Sequence, residues 1–324
     1  MLKSSTIRVR ICSVDNNKIK TILFLMPVLL VVVMELLRES FLMEIIVSYM
    51  PQILVIFVGY MFCLSISLCK RFRVPLLVIF LLNAIVGGLF MYQVWVFYSP
   101  HFNFAQEQNQ PIKLVSININ AANESYDAIR EFFYDQKPDV IVFLEFQQNQ
   151  YEALNESLLA DFKYTNYDPE VKEKYAVIFS KVPLSDVDDE IGFTKATVEV
   201  NGSEVVLYGV HATAPVTRDY FYQRNTILKN LAYDVVNTKV NMVVTGDFNL
   251  TPWSYYYDVF IADSALVDTT RAHRFFTWGA YGLPIMQLHI DHLLVNDIAF
   301  VTTPEVVDFP GSDHDAIVIY INVL

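Results

Sequence analysis

The chain has 324 residues, a formal net charge of −12, 54% hydrophobic residues and a mean hydropathy of +0.34. That length holds one large domain or two modest ones, and that hydropathy is high for a wholly soluble protein. The three cysteines, Cys12, Cys63 and Cys69, all precede residue 110, which excludes a disulfide framework or a thiolate metal cluster in the rest of the chain.

Charge and apolarity divide at the same place. Residues 1–110 carry 9 Lys+Arg and 5 Asp+Glu, net +4, whereas residues 111–324 carry 14 and 30, net −16. An acidic domain of this kind is poorly suited to gripping a nucleic-acid backbone by general electrostatics unless metal ions neutralise the site. The basic part holds three apolar runs, Thr21–Leu37, Pro51–Cys69 and Val74–Val96. A helix needs about 20 apolar residues to cross the hydrocarbon core, so each run is expected to span, the first only with local thinning or flanking snorkelling. Residues 41–50 are expected to extend the second span or lie at the interface, and Trp95, Phe97 and Tyr98 to form an aromatic belt. Lys3, Arg8, Arg10, Lys18, Lys20, Lys70, Arg71 and Arg73 flank one side, and only Arg38 the other. The positive-inside rule then puts the N-terminus in the cytoplasm and everything after the third span outside it. The expected organisation is a cytoplasmic tail (1–20), a membrane domain of three transmembrane helices in a cell (inner) membrane (21–98), a polar linker (99–112) and an extracytoplasmic domain (113–324).

The acidic domain alternates strands with a few helices. Ile112–Ile119 alternates and reads as a strand ending near Asn118, Asn120 and Asn123. A helix over Glu124–Gln136 stops at Lys137-Pro138. Asp139–Leu144 is an almost continuous apolar run, a strand buried on both faces, and it ends on Glu145. Tyr175–Ser180 is another strand. Lys195–Val200 and Glu204–Val210 flank Asn201-Gly202, a strong hairpin signal, and lead into His211. Arg218–Asn237 carries a helical apolar stripe. Asn241–Gly246 is a buried strand that breaks into Asp247, Phe248 and Asn249, followed by a short helix or turn at Trp253–Ala262. Alternation predicts that Asp247 and Asn249 share a face and Phe248 enters the core. In His289–Val295 the same rule pairs His289 with Asp291 and turns His292 away. Asp313 and His314 stand in a glycine-led loop before a last strand, Ala316–Val323. Taken singly, each of these polar residues also fits a solvent-facing strand end or a loop cap.

Their order is more telling than any one of them. Asn118 at a first strand end, Glu145 after a buried strand, His211 before a proline loop, GDFN, IDH and SDH together resemble the endonuclease/exonuclease/phosphatase superfamily across residues 111–324. The apolar front with GDFNLTPWS further resembles its membrane-anchored bacterial branch. The resemblance implies an α/β four-layer sandwich of two mixed β-sheets flanked by helices, with Mg²⁺- or Mn²⁺-dependent phosphoester cleavage at one edge. It implies Asn118, Glu145 and Asp313 as metal holders, Asp247 as the residue orienting or deprotonating the attacking water, and Asn249 as a phosphate binder. His314, paired with Asp291, matches the imidazole that hydrogen-bonds the phosphoryl oxygen, and His211 matches the histidine of the deoxyribonuclease-like and sphingomyelinase-like branches. Leu144 replaces a frequent glutamine, and Asn120 stands where some abasic-site nucleases have an acid, which disfavours a dedicated DNA-repair role. Hard oxygen donors suit Mg²⁺. The expected partners are the lipid bilayer and a phosphoester substrate: a lipid headgroup, a small molecule or nucleic acid. The competing reading is a non-catalytic binding or sensing domain on the same anchor.

Overall fold

A computed structural model describes residues 29, 32–69, 74–98, 102–106, 111–171, 174–272, 276–279 and 283–322. The expected tail (1–20) and most of the first apolar run fall outside the described residues. Two compact units divide the chain: residues up to Leu37 with Pro51–Gln93, and Arg38–Met50 with Val94–Leu324.

After a helical stretch at 32–36 come α1 (Phe41–Ser48), α2 (Met50–Cys69) and α3 (Val74–Phe97). Most of α2 and α3 belongs to the first unit, where Val55, Ile56, Phe62, Ile85 and Leu89 are exposed. Among the described residues no single helix is long and apolar enough to cross a membrane. Phe41–Ser48 and Met50–Cys63 pass that test only together, bent by 68°. Three separate spanning helices are therefore not what these residues show.

Helix α1 departs from its expected place. It belongs to the second unit. Ser40 caps its N-terminus by accepting from the Met43 amide at 3.3 Å, and Glu44 is buried against Arg224 and Ser254. The carboxylate decides this, because an acid inside an apolar run finds its partners in protein rather than in hydrocarbon. Phe97 and Tyr98, expected in an aromatic belt, instead pack within this unit against Trp253, Tyr257 and His289.

The remainder of the second unit is two six-stranded sheets. In chain order its elements are β1 (Ile112–Asn118), α4 (Tyr126–Gln136), β2 (Val140–Leu144), α5 (Gln148–Leu154), β3 (Tyr164–Thr165), β4 (Ala176–Ser180), β5 (Leu184–Glu190), β6 (Phe193–Val200) and β7 (Ser203–His211). Then come α6 (Arg218–Asn237), β8 (Asn241–Asp247), α7 (Tyr255–Ser264), β9 (Val267–Asp268), β10 (Trp278–Gly279), β11 (Gln287–Leu288), β12 (Asp291–Val295), β13 (Glu305–Asp308) and β14 (Asp315–Ile321). The strand orders are β13-β14-β1-β2-β4-β3 and β5-β6-β7-β8-β12-β9, and β10-β11 is a separate small ladder. Leu114, Val142, Ile178 and Ile319 of the first sheet meet Ala196, Leu207, Val243 and Leu293 of the second in one core. Alternation sends Ile117, Phe143 and Phe179 outward onto Ile129 and Phe133 of α4, and Tyr208 and Val244 outward onto Leu228 and Leu231 of α6. The result is the expected four-layer sandwich.

The hairpin turn at Asn201-Gly202 has φ of 52° and 82°, as a left-handed two-residue connection requires. Strand β5 was not expected. Its sequence LSDVDDE is polar because it is an exposed edge, and exposed acid side chains guard such an edge against pairing with other chains.

Candidate active site

Two rows of strand ends make the site. In the second sheet, His211 of β7 and Asp291 of β12 are both in register with Asp247 of β8. In the first sheet, Asn118 of β1 is in register with Leu144 of β2, and Glu145 follows at once. The strands pack face to face, so the two rows meet at one edge. The Asn118 amide joins them: its Nδ2 donates to Glu145 Oε1 at 3.1 Å and to Asp247 Oδ2 at 3.2 Å.

The chain turns sharply at this edge. Asn120, Glu145 and Asn249 all adopt left-handed backbone, φ 65°, 58° and 48°. Asparagine tolerates this conformation, but for glutamate it is uncommon, and such residues gather at sites where the surroundings over-determine them. Gly246, at φ 136°, lets β8 run beside β7 here, since a Cβ would stand 2.1 Å from the Val210 carbonyl oxygen.

Asp247 and Asn249 do converge, though not by strand alternation. The strand ends at Asp247, and the left-handed Asn249 folds back so that its N–H donates to Asp247 Oδ1 at 2.8 Å. Its Nδ2 donates to Asp247 Oδ2 at 3.2 Å and to the Ala212 carbonyl at 2.9 Å. Phe248 enters the core as expected.

The His314 imidazole lies between two carboxylates. Nδ1 is 2.9 Å from Asp291 Oδ2, and Nε2 is 3.8 Å from Asp247 Oδ2. Thr277 fixes Asp291, its hydroxyl donating to Oδ2 at 2.7 Å and accepting from the Asp291 amide at 2.9 Å. Burial opposes charging His314, but the charge and hydrogen bond of Asp291, with Asp247 behind them, push it up to about 10, so it is a cation at neutral pH. Burial and the Asp291 charge push Asp247 up to about 6. His211 Nε2 stands 3.5 Å from Glu145 Oε1. The His211 hydrogen bond holds Glu145 down at about 2 against the effect of burial, helped by Asn118 and the Ala121 amide. Burial opposes charging His211 too, but Glu145 and Asp247 outweigh it and raise its pKa.

Asp313 faces the same loop. Its Oδ1 accepts from Asn120 Nδ2 at 3.0 Å and its Oδ2 from Trp278 Nε1 at 2.8 Å. The Ala121 amide donates to Glu145 Oε2 at 3.2 Å, so one short turn touches both carboxylates. Ser312 hydrogen-bonds the Asn118 carbonyl at 2.7 Å and accepts from the His314 amide at 3.0 Å, which locks the glycine-led loop to β1. The sequence reading assigned no role to Thr277, Trp278 or Ser312. FTWG has no periodicity that would mark it as part of a site.

Asp291 and His289 do not share a face, contrary to the expectation. Strand β12 begins at Asp291, so alternation does not reach back to 289. His289 instead stacks on His292, ring centroids 4.8 Å apart, beside Asp268. This second cluster of His and Asp is closed by its own hydrogen bonds. His292 meets Asp268 at 2.7 Å and the Leu250 carbonyl at 2.8 Å, and His289 meets Tyr98 at 3.0 Å and Thr270 at 2.9 Å. With both nitrogens of each ring engaged, it is a packing network rather than a cation site.

Residues 115–314 match the Endonuclease/Exonuclease/phosphatase family. The chain belongs to this family. Its members hydrolyse phosphoester bonds with divalent metals, and this chain is a phosphoester hydrolase of that family. No curated protein matches the sequence. Solved structures share the fold at low identity. A humanized D. rerio TDP2 superposes with a TM-score of 0.52 at 16% identity, over 66% of this chain and 99% of that one. The 3′ phosphatase NExo from Neisseria, bound to a product DNA hairpin, gives 0.51 at 18% identity over 65% and 100%. Beta toxin from Staphylococcus aureus with bound magnesium ions gives 0.50 at 18% identity over 66% and 100%. In the member described here, Glu145 and Asp313 offer hard carboxylate oxygens and no thiolate, which suits a dication, while the Asn118 oxygen accepts from the Asn120 amide at 3.1 Å.

Proposed function

We propose that this protein is a membrane-tethered phosphodiesterase that works with Mg²⁺ or Mn²⁺, of the membrane-anchored bacterial branch of its family. The observation that carries the chemistry is the Asn118 amide spanning both sheets to reach Glu145 and Asp247 together. Glu145 and Asp313, with Asn118, would hold the cation, which supplies charge neutralisation at the phosphoryl group when bound. Asp247 accepts the proton of the attacking water, and the amides of Asn118 and Asn249 hold its carboxylate in place. His314, kept cationic by Asp291, donates to the phosphoryl oxygen on which charge builds up. Asn249 and His211 border the same space and contact the substrate.

The tether is supported by the apolar runs and by the exposed apolar side chains of α2 and α3. The Lys/Arg asymmetry supports a cytoplasmic N-terminus and an extracytoplasmic catalytic domain. The −16 balance of residues 111–324 disfavours tight duplex binding and favours a lipid-headgroup or small-molecule phosphodiester. The test is turnover of bis(4-nitrophenyl) phosphate, headgroup release from vesicles and plasmid nicking, each with Mg²⁺. Asp247→Ala should abolish all turnover while leaving the circular dichroism spectrum unchanged. Full activity in that variant overturns the assignment, and plasmid nicking faster than headgroup release overturns the substrate preference.

A further inference from the structure

We infer that Glu44 and Arg224 are positioning residues for the active-site loop, so that helix α1, outside the family's matched region, completes the site. The inference rests on the role given above to Asn249. Arg224 of α6 is fully buried, and so is Glu44. A buried guanidinium is tolerated only when it is paired and its N–H groups are occupied. Here Nη1 donates to Glu44 Oε1 at 2.6 Å and to the Asn249 carbonyl oxygen at 2.9 Å. Nε and Nη2 both donate to the Asn225 side-chain oxygen, at 3.0 and 2.8 Å.

The other oxygen of Glu44 accepts from Ser254 Oγ at 2.6 Å. Ser254 caps α7, and its N–H closes a turn on the Thr251 carbonyl at 3.0 Å. The α1 carboxylate thus holds the far end of the segment 249–254 directly and its near end through Arg224. The near end is where Asn249 sits in its left-handed conformation and donates to Asp247. Asparagine takes up left-handed backbone at little cost, but its peptide still has to be fixed in place for the side chain to reach Asp247. The Arg224 contact to the Asn249 carbonyl supplies that restraint at the peptide whose side chain braces the catalytic carboxylate. Helix α1 is itself fixed to this unit by the Phe41–Phe221 edge contact at 5.8 Å, by Tyr256 Oη on the Glu39 carbonyl at 3.1 Å, and by Arg38 over the Tyr255 ring at 4.7 Å. The family match begins at residue 115, so sequence likeness would not assign this helix to the catalytic unit.

The experiment uses the full-length protein, bis(4-nitrophenyl) phosphate and Mg²⁺, with kcat and KM measured per folded molecule beside a thermal melt. Glu44→Ala and Arg224→Lys should each lower kcat roughly 10- to 100-fold and raise KM by less, because the peptide they hold both braces the catalytic carboxylate and carries the substrate-contacting Asn249. The double variant Glu44→Met with Arg224→Met replaces the ion pair by apolar side chains and should recover the melting temperature but not kcat. In an Asn249→Ala background, Glu44→Ala should have a smaller further effect on kcat than in the parent, because only the backbone N–H at 249 is left to brace Asp247. A double variant with wild-type kcat, or effects of Glu44→Ala and Asn249→Ala that multiply independently, overturns the inference. If Glu44→Ala does not fold, the Met/Met variant and Ser254→Ala, which frees the far end of the loop, decide it by the same kcat criterion. Wild-type turnover in Asp247→Ala would signal failure of the catalytic reading itself, which is a different result.

Discussion

Asp247 is buried, yet three N–H groups and an imidazole converge on its two oxygens. That arrangement supports the role proposed for Asp247 as the acceptor of a proton from water. Asp291 acts one step further out. It faces His314 with one edge and is held by Thr277, so Asp291→Asn should lower kcat about 100-fold by removing the charge that keeps the imidazole protonated and aligned. Steady-state kinetics with unchanged folding would check this, and Thr277→Val should move kcat in the same direction by less. A different histidine controls acid stability. Burial and the neighbouring His292 push His289 down to about 3, so the native state keeps it neutral while the unfolded chain protonates it near its ordinary value of about 6.5. The unfolded state therefore binds more protons below pH 6.5, and this group subtracts up to about 1.4 kcal/mol of stability per pH unit on the way down to pH 3. Urea melts at pH 7, 6 and 5 in chelator should show a smaller acid-side loss for His289→Gln than for the parent.

At the scale of elements, most of the secondary structure was legible because it is periodic. The β6–β7 hairpin, the α6 stripe and the central strands β1, β2, β4 and β8 fall within a residue or two of their expected bounds. Elements without a pattern were not legible. The exposed edge β5 looks like an acidic loop, and β10 and β11 are too short to alternate. Close approach of the sheets is visible only in three dimensions. A Cβ on Gly209 of β7 would lie 2.5 Å from Ala176 Cβ and 2.8 Å from Val142 Cγ1 of the facing sheet. Gly209→Ala should therefore force the sheets apart and cost about 1–3 kcal/mol, read as a lower melting temperature and, because the site spans both sheets, a lower kcat.

For the whole molecule, the acidic charge and the oxygen-rich site point the same way. Chelation should remove activity, and added Mg²⁺ should restore it and raise the melting temperature, since a dication bound only by the native state stabilises it. Failure of EDTA to inhibit would remove the metal from the mechanism. A reporter fused after Leu324 should be active only outside the cytoplasm, and a cytoplasmic signal would reverse the proposed orientation.

The sequence by itself pointed to the family, the sandwich and the side chains proposed to react. Asn118, His211 and Asp247 each end a strand with a strong local period and Glu145 follows one, and strand ends in one sheet fall into one row. Tertiary structure alone decided which of them meet. Asn118 reaches Asp247 across 129 positions, and Glu44 reaches Arg224 across 180. Local periodicity carries no information about partners that far apart. For the same reason the helix over 41–48 read as membrane, although a buried carboxylate pairs it with the catalytic unit: hydropathy averages over a window, whereas an ion pair is specified by one atom and its partner.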